Sequence, residues 1–107
     1  MLVSIATAMA ASDTASLDEA KNVAKKFIAK ISTIKDFKEW KNAKVKKIIT
    51  CYDVDDSKSA YVFELEKNGK YAGYIVVSAK KTNYPVLEFS KGMSPLVRAS
   101  ELGIKAE

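Results

Sequence analysis

Apolar residues at Leu17, Ala20, Ala24, Phe27, Ile28 and Ile31 are spaced by three, four, three, one and three positions, one stripe of a 3.6-residue period. Lys21, Lys25, Lys26 and Lys30 take the opposite side. Ser16-Leu17-Asp18-Glu19 stands at the head of the stripe as a capping box, in which the Ser16 hydroxyl accepts from the Glu19 N–H while the Glu19 carboxylate reaches back. Asp18 and Glu19 also complement the positive end of the helix dipole. The pattern predicts one long N-terminal amphipathic helix from about Leu17 to Ile31, whose stripe needs a sheet or a second helix against it.

Beyond the helix the period changes. Ile34, Phe37 and Trp40 recur every three residues, as a short helical turn or packed connector requires. Asp36 is its candidate cap, and the chain's only tryptophan is expected over an edge of the core. Val45–Val54 reads as a strand with Ile48, Tyr52 and Val54 on one face and Val45, Ile49 and Cys51 on the other. Asp53, Asp55, Asp56 and Ser57 form the next turn, since Asp bonds its own backbone there. A calcium loop would need Gly at its sixth position and Glu at its twelfth; Lys58 stands at the sixth, and Glu64, at the twelfth, falls within a strand.

Ala60–Ser78 carries the strongest local signal. Two runs rich in Val, Ile, Tyr and Phe flank Lys67-Asn68-Gly69-Lys70, and Asn-Gly suits a type I′ hairpin turn because both central residues need positive φ. A two-residue loop sets Leu65 opposite Ala72, Phe63 opposite Tyr74 and Tyr61 opposite Val76, an apolar face for the helix. The reverse face pairs Val62 with Ile75, Glu64 with Gly73 and Ala60 with Val77. It is only partly apolar, so a partner or the chain's own tail is expected to cover its far end. After the connection Lys80–Tyr84 and Pro85, Val86–Ser90 is a short fourth strand, an edge, with Leu87 and Phe89 on one side and Glu88 on the other. Leu96–Gly103 suits one helical turn. Connections this short permit an antiparallel meander and exclude parallel crossovers. The fold class is α+β, the helix packed on a four-stranded antiparallel meander sheet.

Composition narrows the function more than it names it. One hundred and seven residues suit one modest core. Histidine is absent, which removes every Ser-His, Cys-His and Zn-His arrangement from this chain. A single cysteine, Cys51, excludes an internal disulfide and any multi-cysteine metal site, and in a β run it reads as a small core hydrophobe. No catalytic, cofactor-binding or metal-ligating set is found. The charge is +5 with a pI near 9.3, and seventeen of the eighteen basic residues are lysine. Planar recognition of phosphates and base edges favours arginine, so the basicity reads as solubility and attraction to acidic partners. Lys38, Lys41, Lys44, Lys46 and Lys47 cluster as a solvated face or a docking surface for such a partner.

Met1–Ala10 is apolar, and Ala8-Met9-Ala10 fits the small-x-small pattern of a signal-peptide cleavage site, although no Lys or Arg precedes Lys21. Ten residues are too few to span a bilayer, which needs about 20. Residues 1–15 are therefore expected to be a signal-peptide remnant and linker, residues 16–107 one domain, and the chain exported to the envelope or beyond.

Ser16-Leu17-Asp18-Glu19-Ala20, Ala60-Tyr61-Val62-Phe63, Asn68-Gly69, Ala72-Gly73-Tyr74-Ile75-Val76-Val77-Ser78-Ala79 and Tyr84-Pro85-Val86-Leu87-Glu88-Phe89-Ser90 together resemble the prodomains of secreted streptopain-like cysteine peptidases. They are also similar to the wider group of small helix-plus-meander propeptides of exported microbial peptidases. The resemblance runs from about Ser16 to Gly103 and implies a non-catalytic module that folds before or beside a cysteine peptidase, covers its cleft and assists its folding. The peptidase would follow Glu107 in a precursor or act as a separate partner. No contact residue carries over from the family. Edge strands dock extended chains, so the expected partner-binding residues are those flanking the fourth strand: Lys80, Lys81, Thr82, Asn83 and Tyr84 on one side, Ser90, Lys91, Gly92, Met93 and Ser94 on the other.

Two other classes remain in view. One is a free-standing exported structural module. The other is an RNA-binding domain, because Lys70, Gly73, Tyr74 and Ile75 overlap an RNP1 pattern. That motif's Gly after Lys and its flanking aromatics are missing, and Lys80–Tyr84 is too short for the helix that fold needs.

Overall fold

The computed structural model describes residues 14–81 and 84–94. The expected N-terminal leader and the Leu96–Gly103 turn lie outside these residues. Helix α1 spans Leu17–Ile31, and its 15 residues make it an ordinary four-turn helix rather than a long one. Both capping-box bonds are present at 3.1 Å, from the Glu19 N–H to Ser16 Oγ and from the Ser16 N–H to Glu19 Oε1. No glycine closes the helix. The Ser32 N–H donates to the Ile28 carbonyl at 3.0 Å, and the Ser32 and Thr33 hydroxyls donate to the carbonyls of Ala29 and Lys30. Ala20, Ala24, Ile28 and Ile31 are buried, whereas Leu17 stays partly in water. The two alanines have no exposed surface, and their small side chains let the helix approach the sheet closely.

The Ser16 N–H, and next the Lys81 charge, hold the Glu19 carboxyl below its ordinary value of 4.5. A depressed folded-state pKa contributes stability above the ordinary value that is lost as pH falls through the lowered one. Glu19→Gln is expected to flatten the acid limb of the stability profile below that value. Melting curves recorded downward from neutral pH check this, and an acid limb identical to wild type would refute it.

Strands β1 (Lys44–Tyr52), β2 (Lys58–Lys67), β3 (Lys70–Ser78) and β4 (Val86–Ser90) form one antiparallel sheet in the order β1-β2-β3-β4. Asn68 and Gly69 both have positive φ, 55° and 78°, as the type I′ reading requires. The β1–β2 connection is the expected turn. The Asp53 N–H bonds the Ser57 carbonyl at 2.8 Å, and Asp55 Oδ1 accepts from both the backbone N–H and the hydroxyl of Ser57. Tyr52 and Val54 are exposed, and Val54 belongs to this turn rather than to β1.

Register is where the structure departs from the sequence reading. Lys67 pairs with Lys70 and Glu66 with Tyr71, and then a bulge at Ala72 shifts the ladder by one residue. Leu65 therefore faces Gly73, Phe63 faces Ile75 and Tyr61 faces Val77. A one-residue slip exchanges the two faces of a strand. Ile75 and Val77 join the core, while Tyr74 and Val76 pair with Glu64 and Val62 on the other face. A second shift at Lys46 puts Val45 with Ile48 on the helix side, where Val45 had been grouped with Ile49 and Cys51. A third, at Leu87, lets Val86 and Phe89 face the helix and leaves Leu87 outside, so Leu87 and Phe89 do not share a face.

The cause of the β3 bulge is Trp40. The connector is a 3₁₀ turn, Lys35–Trp40, with a backbone break at Phe37 and Ile34 at its N-cap, so Asp36 does not cap it. Its tryptophan is wholly buried rather than laid over the edge of the core, and its indole Nε1–H donates to the carbonyl of bulged Ala72 at 2.8 Å. Gly73, at φ +137°, makes room for the ring; a Cβ there would lie 2.9 Å from Trp40 Cζ2 and 2.3 Å from the Ser90 carbonyl. Phe37, Phe27 and Phe89 close the same corner through edge-on ring contacts, Phe27 to Phe89 at 4.7 Å and Phe37 to Trp40 at 5.0 Å.

The face away from the helix carries Val62, Glu64 and Tyr74, all buried. The chain's own continuation contributes to that cover: the Tyr71 hydroxyl donates to the Gly92 carbonyl at 2.8 Å, and the Ser94 hydroxyl, fully buried, donates to Glu64 Oε2 at 2.6 Å. The Tyr74 hydroxyl also donates to Glu88 Oε2.

Candidate docking margin

The two segments expected to bind a partner lie at opposite ends of β4. They are separated by that strand, on the order of 15 Å at about 3.3 Å per residue. On the first, Lys80 reaches Asp53 (3.4 Å) and Lys81 reaches Glu19 (3.6 Å), both pairs well exposed and of the kind that adds little stability. The Ser78 hydroxyl donates to the Lys80 carbonyl and accepts from the Lys80 N–H, turning the chain out of β3. Thr82 and Asn83 lie outside the described residues, and Tyr84 is 81% exposed. The turn, α1 and the Ala15 segment enclose a hollow of about 340 Å³ lined by Val23, Val77, Lys81 and Pro85, among others.

The second segment is fastened. The Gly92 N–H donates to Ser90 Oγ at 2.9 Å. Lys91 Nζ lies 2.8 Å from Glu39 Oε1, donates to the Asp36 carbonyl and sits 5.4 Å over the Phe37 ring. That Lys91 hydrogen bond is the main reason the Glu39 carboxyl lies below its ordinary value. Met93 is half-buried, and Ser94 is held by Glu64. This segment therefore offers a fixed backbone path, whereas Tyr84 on the first offers side-chain surface.

Between them runs the margin itself. Among the described residues no strand pairs with the outer side of β4. Leu87 (57% exposed) and Phe89 (37%) stand along it, with Tyr84 at its end. The opposite margin, β1, carries Lys44, Lys46 and Lys47, and lysines on an edge discourage strand addition. β4, Val-Leu-Glu-Phe-Ser, carries none. The exposure of Leu87 escaped the sequence reading because it depends on the bulge at that residue, which alternation alone does not reveal.

The chemistry available here is that of binding. Burial pushes the Cys51 thiol above its ordinary pKa, which lowers its thiolate fraction, and the chain has no imidazole to activate it. The margin supplies instead an edge that no strand covers among the described residues, apolar side chains along it and one fastened flank, elements from which an extended chain is bound. No helix among the described residues is long and apolar enough to cross a membrane.

No curated protein and no solved structure matches the chain. The family model described as Spi protease inhibitor matches residues 10–104, which takes in α1, the 3₁₀ turn and all four strands. With nearly its whole length inside that match, the chain belongs to the Spi protease inhibitor family, a propeptide-type inhibitor module whose partner is a peptidase.

Proposed function

We propose that the chain is a prodomain-like inhibitor of a papain-like cysteine peptidase of the streptopain kind, exported with it or encountered outside the cell, and that it covers the peptidase cleft and assists its folding. The docking margin is β4, with Lys80, Lys81 and Tyr84 at one end and Ser90–Ser94 at the other. The observation that carries this is the asymmetry of the sheet: β1 is guarded by lysines, whereas β4 presents Leu87 on an edge that no strand covers among the described residues. The family match supports an inhibitor role. The streptopain resemblance supports the peptidase class, and the two runs that are distinctive as a pair, Gly73–Ser78 and Pro85–Ser90, overlie β3 and β4.

Titration of purified chain into a secreted papain-like peptidase is expected to abolish activity near one equivalent. Leu87→Lys, at an exposed position, is expected to leave the melting temperature unchanged and to weaken inhibition about 10-fold or more, as a charge on an edge opposes strand addition. Full peptidase activity at a large excess of wild-type chain would reject the function. Undiminished inhibition by Leu87→Lys would reject the margin.

A further inference from the structure

The charges of this domain are sorted along the strand axis. At the hairpin end, Lys44 opens β1, Lys67 closes β2, Lys70 opens β3, and Lys91 follows β4. Glu39 and Glu66 line the hollows beside them, and Glu39 is already engaged by Lys91. At the other end, the Lys80–Lys81 segment reaches Asp53 of the Asp53–Ser57 turn and Glu19 at the start of α1. There Lys80 pairs with Asp53 and Lys81 with Glu19, and Lys58 opens β2 beside the same acidic turn. The ion pairs of the described residues involve Lys80, Lys81 and Lys91 and not Lys44, Lys67 or Lys70, although the Lys67 charge is among those that help hold the Glu39 carboxyl below its ordinary value.

Two hollows flank the hairpin turn and share Lys67 and Asn68. One, of about 520 Å³, is lined also by Lys70, Tyr71 and Lys91; the other, of about 340 Å³, by Asn42, Lys44 and Glu66. Lys67 and Lys70 are direct cross-strand partners. Like charges directly opposite each other in a ladder are destabilising. The hairpin thus carries an unfavourable pair beside its turn, half-buried Lys67 against exposed Lys70, where an acid at either position would make the pair attractive.

We infer that this lysine-lined hairpin end is an electropositive docking surface that steers the domain onto an acidic patch of its peptidase partner. The inference rests on the inhibitory reading above and adds a second contact region, distinct from the β4 margin. Lysine is suited to the task because a mobile, hydrated point charge contributes long-range attraction without requiring bidentate geometry. The chain's one arginine, Arg98, lies outside the described residues. Lysine-only charge favours a protein surface over a nucleic acid, whose phosphates and base edges are read best by guanidinium groups.

Association and dissociation rates with the inhibited peptidase, measured from about 0.01 to about 1 M ionic strength, test this, since the screening length falls from about 30 to about 3 Å across that range. Wild-type association is expected to slow about 10-fold or more with salt. Lys67→Glu and Lys70→Glu are each expected to slow it several-fold at low salt and to have no effect at high salt, with dissociation nearly unchanged. Both variants should melt no lower than wild type, because each converts the Lys67–Lys70 pair to an attractive one. Lys58→Glu, the same change of net charge at the acidic end, is the control and should have a smaller effect. Equal slowing by Lys58→Glu and Lys67→Glu, or association indifferent to salt, would overturn the inference while leaving inhibition intact. Tight, salt-dependent binding of single-stranded RNA lost in Lys67→Glu, with unaltered peptidase association, would reassign the surface to nucleic acid. Absence of any inhibition would remove the parent reading and this inference with it.

Discussion

Gly73→Ala is expected to destabilise the domain by about 2–6 kcal/mol. Backbone held at a φ that L residues rarely adopt costs about 1–3 kcal/mol, and overfilling a packed site about 1–3 more. Both apply, since Gly73 has φ +137° and its added Cβ would meet the Ser90 carbonyl, Lys91 Cα and the Trp40 ring within 3 Å. Two of these atoms are backbone, so relief requires β4 to move. For a domain of this size each kcal/mol lowers the melting temperature by about 4–8 °C, so a fall of about 10 °C or more is expected by circular dichroism or calorimetry. Gly69→Ala separates the two causes. Its φ is +78° and nothing lies within 4 Å of its added Cβ, so only the backbone penalty operates. Equal losses at the two glycines would show that crowding at Gly73 is unimportant.

The second large effect is at Trp40. Removing a buried aromatic side chain costs about 3–5 kcal/mol, and the unpartnered Ala72 carbonyl adds to the loss. Trp40→Ala is therefore expected to leave little of the 5–15 kcal/mol that ordinary domains possess. Trp40→Phe keeps much of the ring volume and loses the N–H, so it is expected to cost clearly less. Denaturant titration followed by far-ultraviolet circular dichroism gives both values, and wild-type tryptophan fluorescence, from this one residue, should report the same transition. Matching losses in the two variants would assign the effect to the hydrogen bond rather than to packing.

These two positions also mark where the sequence ceased to be legible. The limits of α1 were readable because the capping box and the stripe are local, and Ser16, Leu17 and Ile31 stand where their spacing puts them. The order of strands was readable because each connection is short. Register was not. The bulge at Ala72 answers an indole 32 positions away, and the one at Leu87 shows only when β3 and β4 are laid side by side. Of the candidate margin, the sequence supplied the strand and its flanks. It could not supply the bonds that fasten the second flank, Ser94 to Glu64 across 30 residues and Lys91 to the Asp36 carbonyl across 55, since neither spacing has a periodic signature. Nor did alternation show that Leu87 faces water.

The meander has a further consequence, in the order of events during folding. Every strand pairs with its neighbour in sequence, so each step of sheet assembly closes a short loop at small entropic cost. The contacts that span the chain instead belong to α1, the Trp40 corner and the Thr14–Ala15 segment, all of which pack against the assembled sheet. Among the described residues of this sheet, the long-range backbone pairing outside the hairpins is confined to the Thr14–Ala15 segment, which bridges to Lys80 and donates from the Ala15 N–H to the Ala79 carbonyl at 2.8 Å.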